Sequence, residues 1–225
     1  MAMTTSAALY KLQSWLSPSY PVGAYAFSHG LENAVDTALV ADAADVADWV
    51  GDTISAGNGF ADLVFLAATC DTVNSEGDLS AVIELAFAFQ VTAELRTEST
   101  AQGAAFLRAT TQAWPCDALR QLPSNSTIAY PVAVGATAAG HGIDKELVMH
   151  AYGHAFVANL VSAAIRLIPL GQTEGQEAIA ALEPVVAAAV QRALNTPLDR
   201  VATSTMMVDI VSMNHETQYT RLFRS

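Results

Sequence analysis

Hydrophobic positions recur at helical spacing along most of the chain. Leu9, Leu12, Trp15 and Leu16 fall on one face of a helix over Ala7 to Leu16, and Pro18 and Pro21 forbid its continuation, so a helix leads into a rigid loop. Ser28 is placed to cap a helix through Leu39. Asp42 caps another, in which Val46, Trp49, Val50 and Ile54 face one way and Asp45, Asp48 and Asp52 the other. That acidic stripe reads as a solvated face before it reads as a cation site or a surface for a basic partner. Helices follow over Phe60 to Asp71, Leu79 to Thr92 and Ala93 to Trp114, where Pro115 stops the pattern. Leu122 to Asn125 reads as a loop, and Tyr130 to Ala139 as a helix ended by Gly140 and Gly142. Asp144 to Ile168 has a face of small residues, Ala151, Ala155, Ala158 and Ser162, and a second apolar face of Val148, Tyr152, Phe156, Leu160 and Leu167. A helix apolar on two sides belongs in the middle of a bundle. Pro169 and Gly171 end it, and Thr173 with Gln176 forms a capping box for a last long helix to Leu194, kinked at Pro184. No stretch sustains the period of two that a half-buried strand requires. The expected fold is all-α, a compact bundle of roughly eight to ten helices in one domain over residues 1–225.

Composition narrows this picture. Hydrophobic residues make up 52% of the chain and charged ones 14%, below the roughly one quarter of an average soluble domain. The longest apolar stretch, Ala151 to Leu170, is interrupted by His154, Asn159, Arg166 and Pro169, and is not expected to cross a membrane. Met1 to Ser6 has no basic, apolar leader, which points to the cytoplasm. Cys70 and Cys116 stand alone and read as reduced, small hydrophobes. The net charge of −12 is concentrated in the first hundred residues, which hold 13 acidic and 2 basic side chains against 9 and 8 in the rest. Acidity of this size opposes nucleic acid as a partner, because phosphate binding needs a basic face.

Catalytic motifs fail in turn. A P-loop needs Gly-Lys-Ser/Thr, but the only lysines, Lys11 and Lys145, follow Tyr10 and Asp144. Paired Glu-x-x-His and His-Glu-x-x-His are both missing from the sequence. Ser28-His29 lacks a Gly-x-Ser-x-Gly elbow, and a serine there reads as a cap. His150 and His154 have the four-residue spacing that lets two imidazoles share a transition metal, with Glu146 one turn earlier. Without a third and fourth ligand they read as structural and stay weak metal candidates.

Two segments stand out. In Ser17-Pro-Ser-Tyr-Pro-Val-Gly23 the prolines fix an extended path that holds Tyr20, Tyr25 and Phe27 near the surface or a groove, for structural or functional reasons. In Met213 to Ser225, Arg221 and Arg224 bracket Leu222 and Phe223, with Tyr219 close by. Arginine and large apolar side chains are the anchors of protein interfaces, and disordered ends are poor in aromatics, so residues 213–225 read as a docking tail.

Three blocks carry a resemblance to a known family. They are Trp15-Leu-Ser-Pro-Ser-Tyr-Pro-Val-Gly-Ala-Tyr-Ala-Phe-Ser-His-Gly-Leu-Glu32, Ala164-Ile-Arg-Leu-Ile-Pro-Leu-Gly-Gln172 and Met213 to Ser225, with Glu94-Leu-Arg96, Ser99 and Gly103 fitting more loosely between them. In order and spacing the chain resembles the UreF family of urease accessory proteins. The resemblance implies an all-α homodimeric scaffold without catalytic residues, placed between a UreD-type (or UreH-type) accessory protein and the nickel-binding GTPase UreG. Together these act on apo-urease and insert nickel as GTP is hydrolysed, with UreE the usual nickel donor. It further implies no stably bound cofactor, nickel being handled by the complex and GTP bound by UreG. Partner contact transfers to Tyr219, Arg221, Leu222, Phe223, Arg224 and Ser225 in the tail, and to Pro21, Gly23, Ser28, His29, Gly30 and Glu32 in the first block. Arg166 and Gln172 match the middle block, with their role open between dimer, GTPase and fold. Alone in solution the tail is expected to be mobile and to order on its partner. The alternative is a protein that binds nickel itself through His150 and His154.

Overall fold

A computed structural model describes residues 5–123 and 127–225, so the expected loop at Leu122 to Asn125 lies partly outside the described residues. The elements are α1 (Thr5–Trp15), a short 3-10 turn (Ala24–Ala26), α2 (Leu31–Asp36), α3 (Ala43–Ala56), α4 (Asn58–Asn74), α5 (Ser80–Ala88) and α6 (Ala93–Ala113). They continue with α7 (Asp117–Gln121), α8 (Tyr130–Gly140), α9 (Lys145–Leu167), α10 (Gln172–Leu194), a 3-10 turn (Leu198–Arg200) and α11 (Met206–His215). No strand occurs among the described residues, and the fold is all-α.

Several helix ends follow their local chemistry. Asp42 accepts the N–H groups of Ala44 and Asp45 at 2.9 and 3.0 Å, Thr92 that of Leu95 at 3.1 Å, and Asp144 that of Leu147 at 3.0 Å. Two starts differ from expectation. α2 begins at Leu31, after Gly30 in the left-handed region at φ 79°, so Ser28 is not its N-cap residue. At α10 the reaching-back carboxylate is Glu174, which accepts the Gly171 N–H at 2.7 Å, and Thr173 falls inside the first turn. The helix runs on past Pro184 to Leu194, giving up the one bond that a proline cannot donate.

α4 lies at the centre of the bundle, and α9 lies within it as well, packed against α2, α3, α4, α8 and α10. Phe60, Leu63, Val64, Phe65, Leu66 and Cys70 of α4 are all buried, and the helix packs against α3, α8, α9 and α10. By composition α3 with α4 and also α9 are apolar enough to cross a bilayer. In the fold, 83% of the most apolar window of the first is buried but only 50% of that of α9. The difference is the small-residue face of α9, where Ala151, Ala155 and Ala158 are half-buried and Ser162 is exposed. That face borders the cavity shared with the loop after α1 and with Leu95, Glu98 and Gln102 of α6, which leaves it less closely packed. α1 itself is held by Trp15, fully buried with its ring edge-on to Phe106 and Trp114 at centroid distances of 6.4 and 6.0 Å. The Tyr20 hydroxyl is hydrogen-bonded to that of Thr110 at 2.7 Å, which fixes the proline-bounded loop to α6.

Close helix contacts rest on glycine. A Cβ at Gly103 of α6 would lie 2.1 Å from the carbonyl oxygen of Ile128, backbone that cannot step aside without moving the start of α8. Gly103→Ala is therefore expected to cost about 3 kcal/mol of stability, read as a lower midpoint in urea unfolding followed by far-ultraviolet circular dichroism.

Candidate functional site

The tail, the loop after α1 and one end of α2, α6 and α9 meet at a single junction. From Leu222 to Ser225 the side chains alternate in burial, with Leu222 and Arg224 outward and Phe223 and Ser225 inward, at 4% and 1% exposure for the inward pair. The Arg224 N–H donates to the carbonyl of Ala26 at 2.8 Å, and the Ser28 N–H to the carbonyl of Ser225 at 2.7 Å. The Ser28 hydroxyl also donates to that carbonyl, at 2.5 Å, and accepts the Glu32 N–H at 3.3 Å, so this serine ties the tail as well as the first turn of α2. The Cβ that Gly30 lacks would lie 3.0 Å from the Ser212 backbone, so α11 crosses α2 here only because the residue is glycine.

Three carboxylates receive the tail. Glu32 accepts the N–H groups of Leu222 at 2.6 Å and Phe223 at 2.9 Å. Glu94 accepts the Arg221 guanidinium at 2.9 Å, and Glu98 the Ser225 hydroxyl at 2.7 Å. Fully buried His215 at the end of α11 stands between the first two, with Nδ1 2.7 Å from Glu94 and Nε2 3.0 Å from Glu32. Burial pushes the Glu94 carboxyl above its ordinary pKa, against the pull of His215 and Arg221. Arg166 closes the other side. Its guanidinium lies 4.3 Å from the centre of the Phe223 ring and donates to the Tyr25 carbonyl at 2.8 Å, while burial lowers its pKa. Burying Phe223 contributes about 2 kcal/mol on transfer grounds. In the structure the tail lies against the chain's own acidic side chains, which supply its acceptors.

Beneath the junction lies a cavity of about 190 Å³ between the loop after α1 and helices α4, α6 and α9. His29, Asn58, Asp62, Glu98, Gln102 and Tyr152 bring polar groups to it. His29 is buried with its backbone in the left-handed region at φ 59°, a conformation that costs a non-glycine residue energy. Glu98 stands 3.5 Å from its Nδ1, near enough for charge attraction, yet neither ring nitrogen has a hydrogen-bond partner among the described residues. Burial alone would lower the His29 pKa, but Glu98 reverses the sign and raises it. The Asn58 amide nitrogen is equally unpartnered there. Burial pushes Asp62 up to about 7, although its carboxylate accepts the Tyr152 hydroxyl at 2.6 Å. The phenols of Tyr130 and Tyr152 are pushed up by the same burial.

The remaining candidates are spread out. Pro21 is exposed, Gly23 turns the loop at φ 75°, and Gln172 is exposed in the first turn of α10, outside the junction. Tyr219 projects fully into solvent. His150 Nε2 lies 3.9 Å from Glu146 with His154 exposed one turn on, and among the described residues no three His, Cys, Asp or Glu side chains gather as a metal cluster. Asp62, Glu94, Glu98 and His215 do not stand out in the sequence as site residues. For Asp62 a signal exists, a lone carboxylate inside the apolar run Phe60 to Ala68.

Comparison with known proteins agrees with the resemblance drawn above. The sequence model of the UreF family matches residues 40–183. A urease accessory protein UreF of Rhodopseudomonas palustris strain HaA2 is 48% identical over 97% of this chain and 94% of its own length. One from Methylorubrum populi is 46% identical over 96% and 98% of the two chains, and one from Bradyrhizobium sp. strain BTAi1 47% over 97% and 92%.

The raised Asp62 pKa makes a prediction with a definite sign. Below the ordinary carboxyl pKa of 3.8 both folded and unfolded chains hold the proton; between there and about 7 only the folded chain does, so the stability Asp62 contributes is lost as pH rises through that interval. Asp62→Asn keeps an acceptor for Tyr152 and removes the titration. The variant is expected to gain on the order of 2 kcal/mol relative to the wild-type chain between mildly acidic and mildly alkaline buffer, measured by urea unfolding at both conditions.

Proposed function

The chain belongs to the UreF family of urease accessory proteins, and we propose that it is the scaffold of a maturation complex in which it joins a UreD-type (UreH-type) partner to the GTPase UreG on apo-urease. Its role is accessory rather than catalytic. Nickel is cargo of the assembly and GTP is the ligand of UreG, so this chain needs no cofactor of its own. The complex works in the cytoplasm, with this chain as a homodimer that gates when the GTPase releases nickel.

The observation that carries this reading is the division of labour in the tail. Phe223 and Ser225 are buried in the chain's own junction, while Tyr219 and Leu222 stand 102% and 65% exposed. Beside them, α11 turns Met206, Met207, Ile210 and Met213 to solvent. Large apolar and aromatic side chains held outward on an anchored backbone have already lost the entropy that binding would cost them. The UreD-type protein is the partner assigned to this surface, and Arg221 and Arg224, half-committed to Glu94 and to the Phe27 ring, border it. His150 and His154 have no part in this reading.

The surface can be tested without disturbing the anchor. Tyr219→Ala with Leu222→Ser adds no charge beside Glu32 and leaves Phe223, Ser225 and the carboxylates in place, so the helical circular dichroism and the unfolding midpoint should stay at wild-type values. Co-purification with the UreD-type partner should fall by about thirtyfold in affinity or more, and urease activation with it. Undiminished capture of the partner would overturn the assignment of this surface.

A further inference from the structure

The contacts of His215 go beyond packing. Carboxylate oxygens accept hydrogen bonds, so a ring whose two nitrogens lie 2.7 and 3.0 Å from Glu94 and Glu32 uses an N–H on each side. With both carboxylates ionised, such a ring is an imidazolium. It then completes a set of four groups, Glu32, Glu94, His215 and Arg221, in which two negative charges meet two positive ones. The same two carboxylates use their other lone pairs on the tail, through the amides of Leu222 and Phe223 and the guanidinium of Arg221. His215 touches none of these tail groups itself. What it fixes is the direction in which the carboxylates face.

We propose that His215 is a positioning residue, whose protonated imidazole balances Glu32 and Glu94 and thereby sets the tail in the pose that offers Tyr219 and Leu222 to a partner. Without the cation the site holds two buried carboxylates against one arginine, and an uncompensated buried charge is relieved by turning toward water. Turning either carboxylate out withdraws the acceptors of the tail. Arg221 does not stand in for it, because its guanidinium pairs with Glu94 from a part-exposed position and is not hydrogen-bonded to Glu32.

The inference rests on the reading that the tail meets a partner, but the pose can be tested on the isolated chain. His215→Gln is close in size and carries one donor and one acceptor, so it fills the space while removing the charge. Amide hydrogen exchange of residues 221–225 is expected to become about tenfold faster or more, with the protection of α4 unchanged. Adding Glu94→Gln should restore the slow exchange. The amide introduced at position 94 can donate to the one at position 215, which donates in turn to Glu32. The side-chain oxygen at position 94 can still accept Arg221, leaving Glu32 and Arg221 as a balanced pair. A tail that stays protected in His215→Gln, or one the double variant fails to rescue, would overturn the proposal, the second result meaning that the imidazole acts only by its shape. Should His215→Gln not fold, the wild-type ring decides. Nitrogen chemical shifts near neutral pH are expected to show both ring nitrogens protonated, and a neutral tautomer would sink the idea. Capture of the UreD-type protein by the same variants is a separate readout, since failure of the wild-type chain to bind it would remove the docking reading and leave the exchange results standing.

Discussion

Glu32 carries more of the junction than any other side chain. One carboxylate on a six-residue helix receives two tail amides and an imidazole, and the three donors come from segments 183 to 191 residues away in the chain. Closing so long a loop costs entropy that no single neutral hydrogen bond offsets. Three charge-assisted bonds on one acceptor, backed by Phe223 beneath the Arg166 guanidinium, are of the right size to do so. The loop after α1, the end of α11 and the tail therefore form a unit around this residue.

The two sides of α6 handle buried acid differently. Toward the tail, burial raises the Glu94 pKa, but His215 and Arg221 beside it oppose that shift. Toward the cavity, Asp62 on the facing helix has a buried phenol and an unpartnered histidine nearby, and its environment favours keeping the proton. Glu98 stands between the two, with Ser225 on one side and His29 on the other. A proton gained or lost in the cavity is thus felt one residue away from the tail's last anchor. The strained backbone of His29 adds to this, because the Ser28-His29-Gly30 turn aims the ring at the cavity and the serine at the tail.

Much of the fold is legible where backbone chemistry is local. Pro18 and Pro21 do end α1, Asp42 and Asp144 do cap their helices, and α6 does stop before Pro115. The failures share a cause. α11 turns methionines and an isoleucine outward while it buries Val208 and Val211 together with Ser212 and His215, so apolar and polar residues share both its faces and no amphipathic stripe marks the helix. α9 looks enclosed on all sides in the sequence because both its faces are apolar, yet the residues of its small-residue face stay half-buried or exposed along the cavity. At the junction the arginines and aromatics of the tail are conspicuous in an acidic chain, while their acceptors are not. Glu94, Glu98 and Gln102 recur one turn apart on α6, a spacing that normally marks a solvated face, and nothing in the pattern tells that this stripe is roofed by a segment more than a hundred residues away.

The alternation of the last four tail residues restricts how the segment can change over time. Buried and exposed side chains alternate over these four positions, so an exchange of residue type at 222 or 224 chiefly alters what is offered outward. Gaining or losing one residue between His215 and Leu222 would shift the register, carry Phe223 into water and bring an arginine or a leucine onto the anchor. The span from the end of α11 to the first amide held by Glu32 thus works as a fixed ruler, and diversification here is open to substitutions and closed to insertions and deletions.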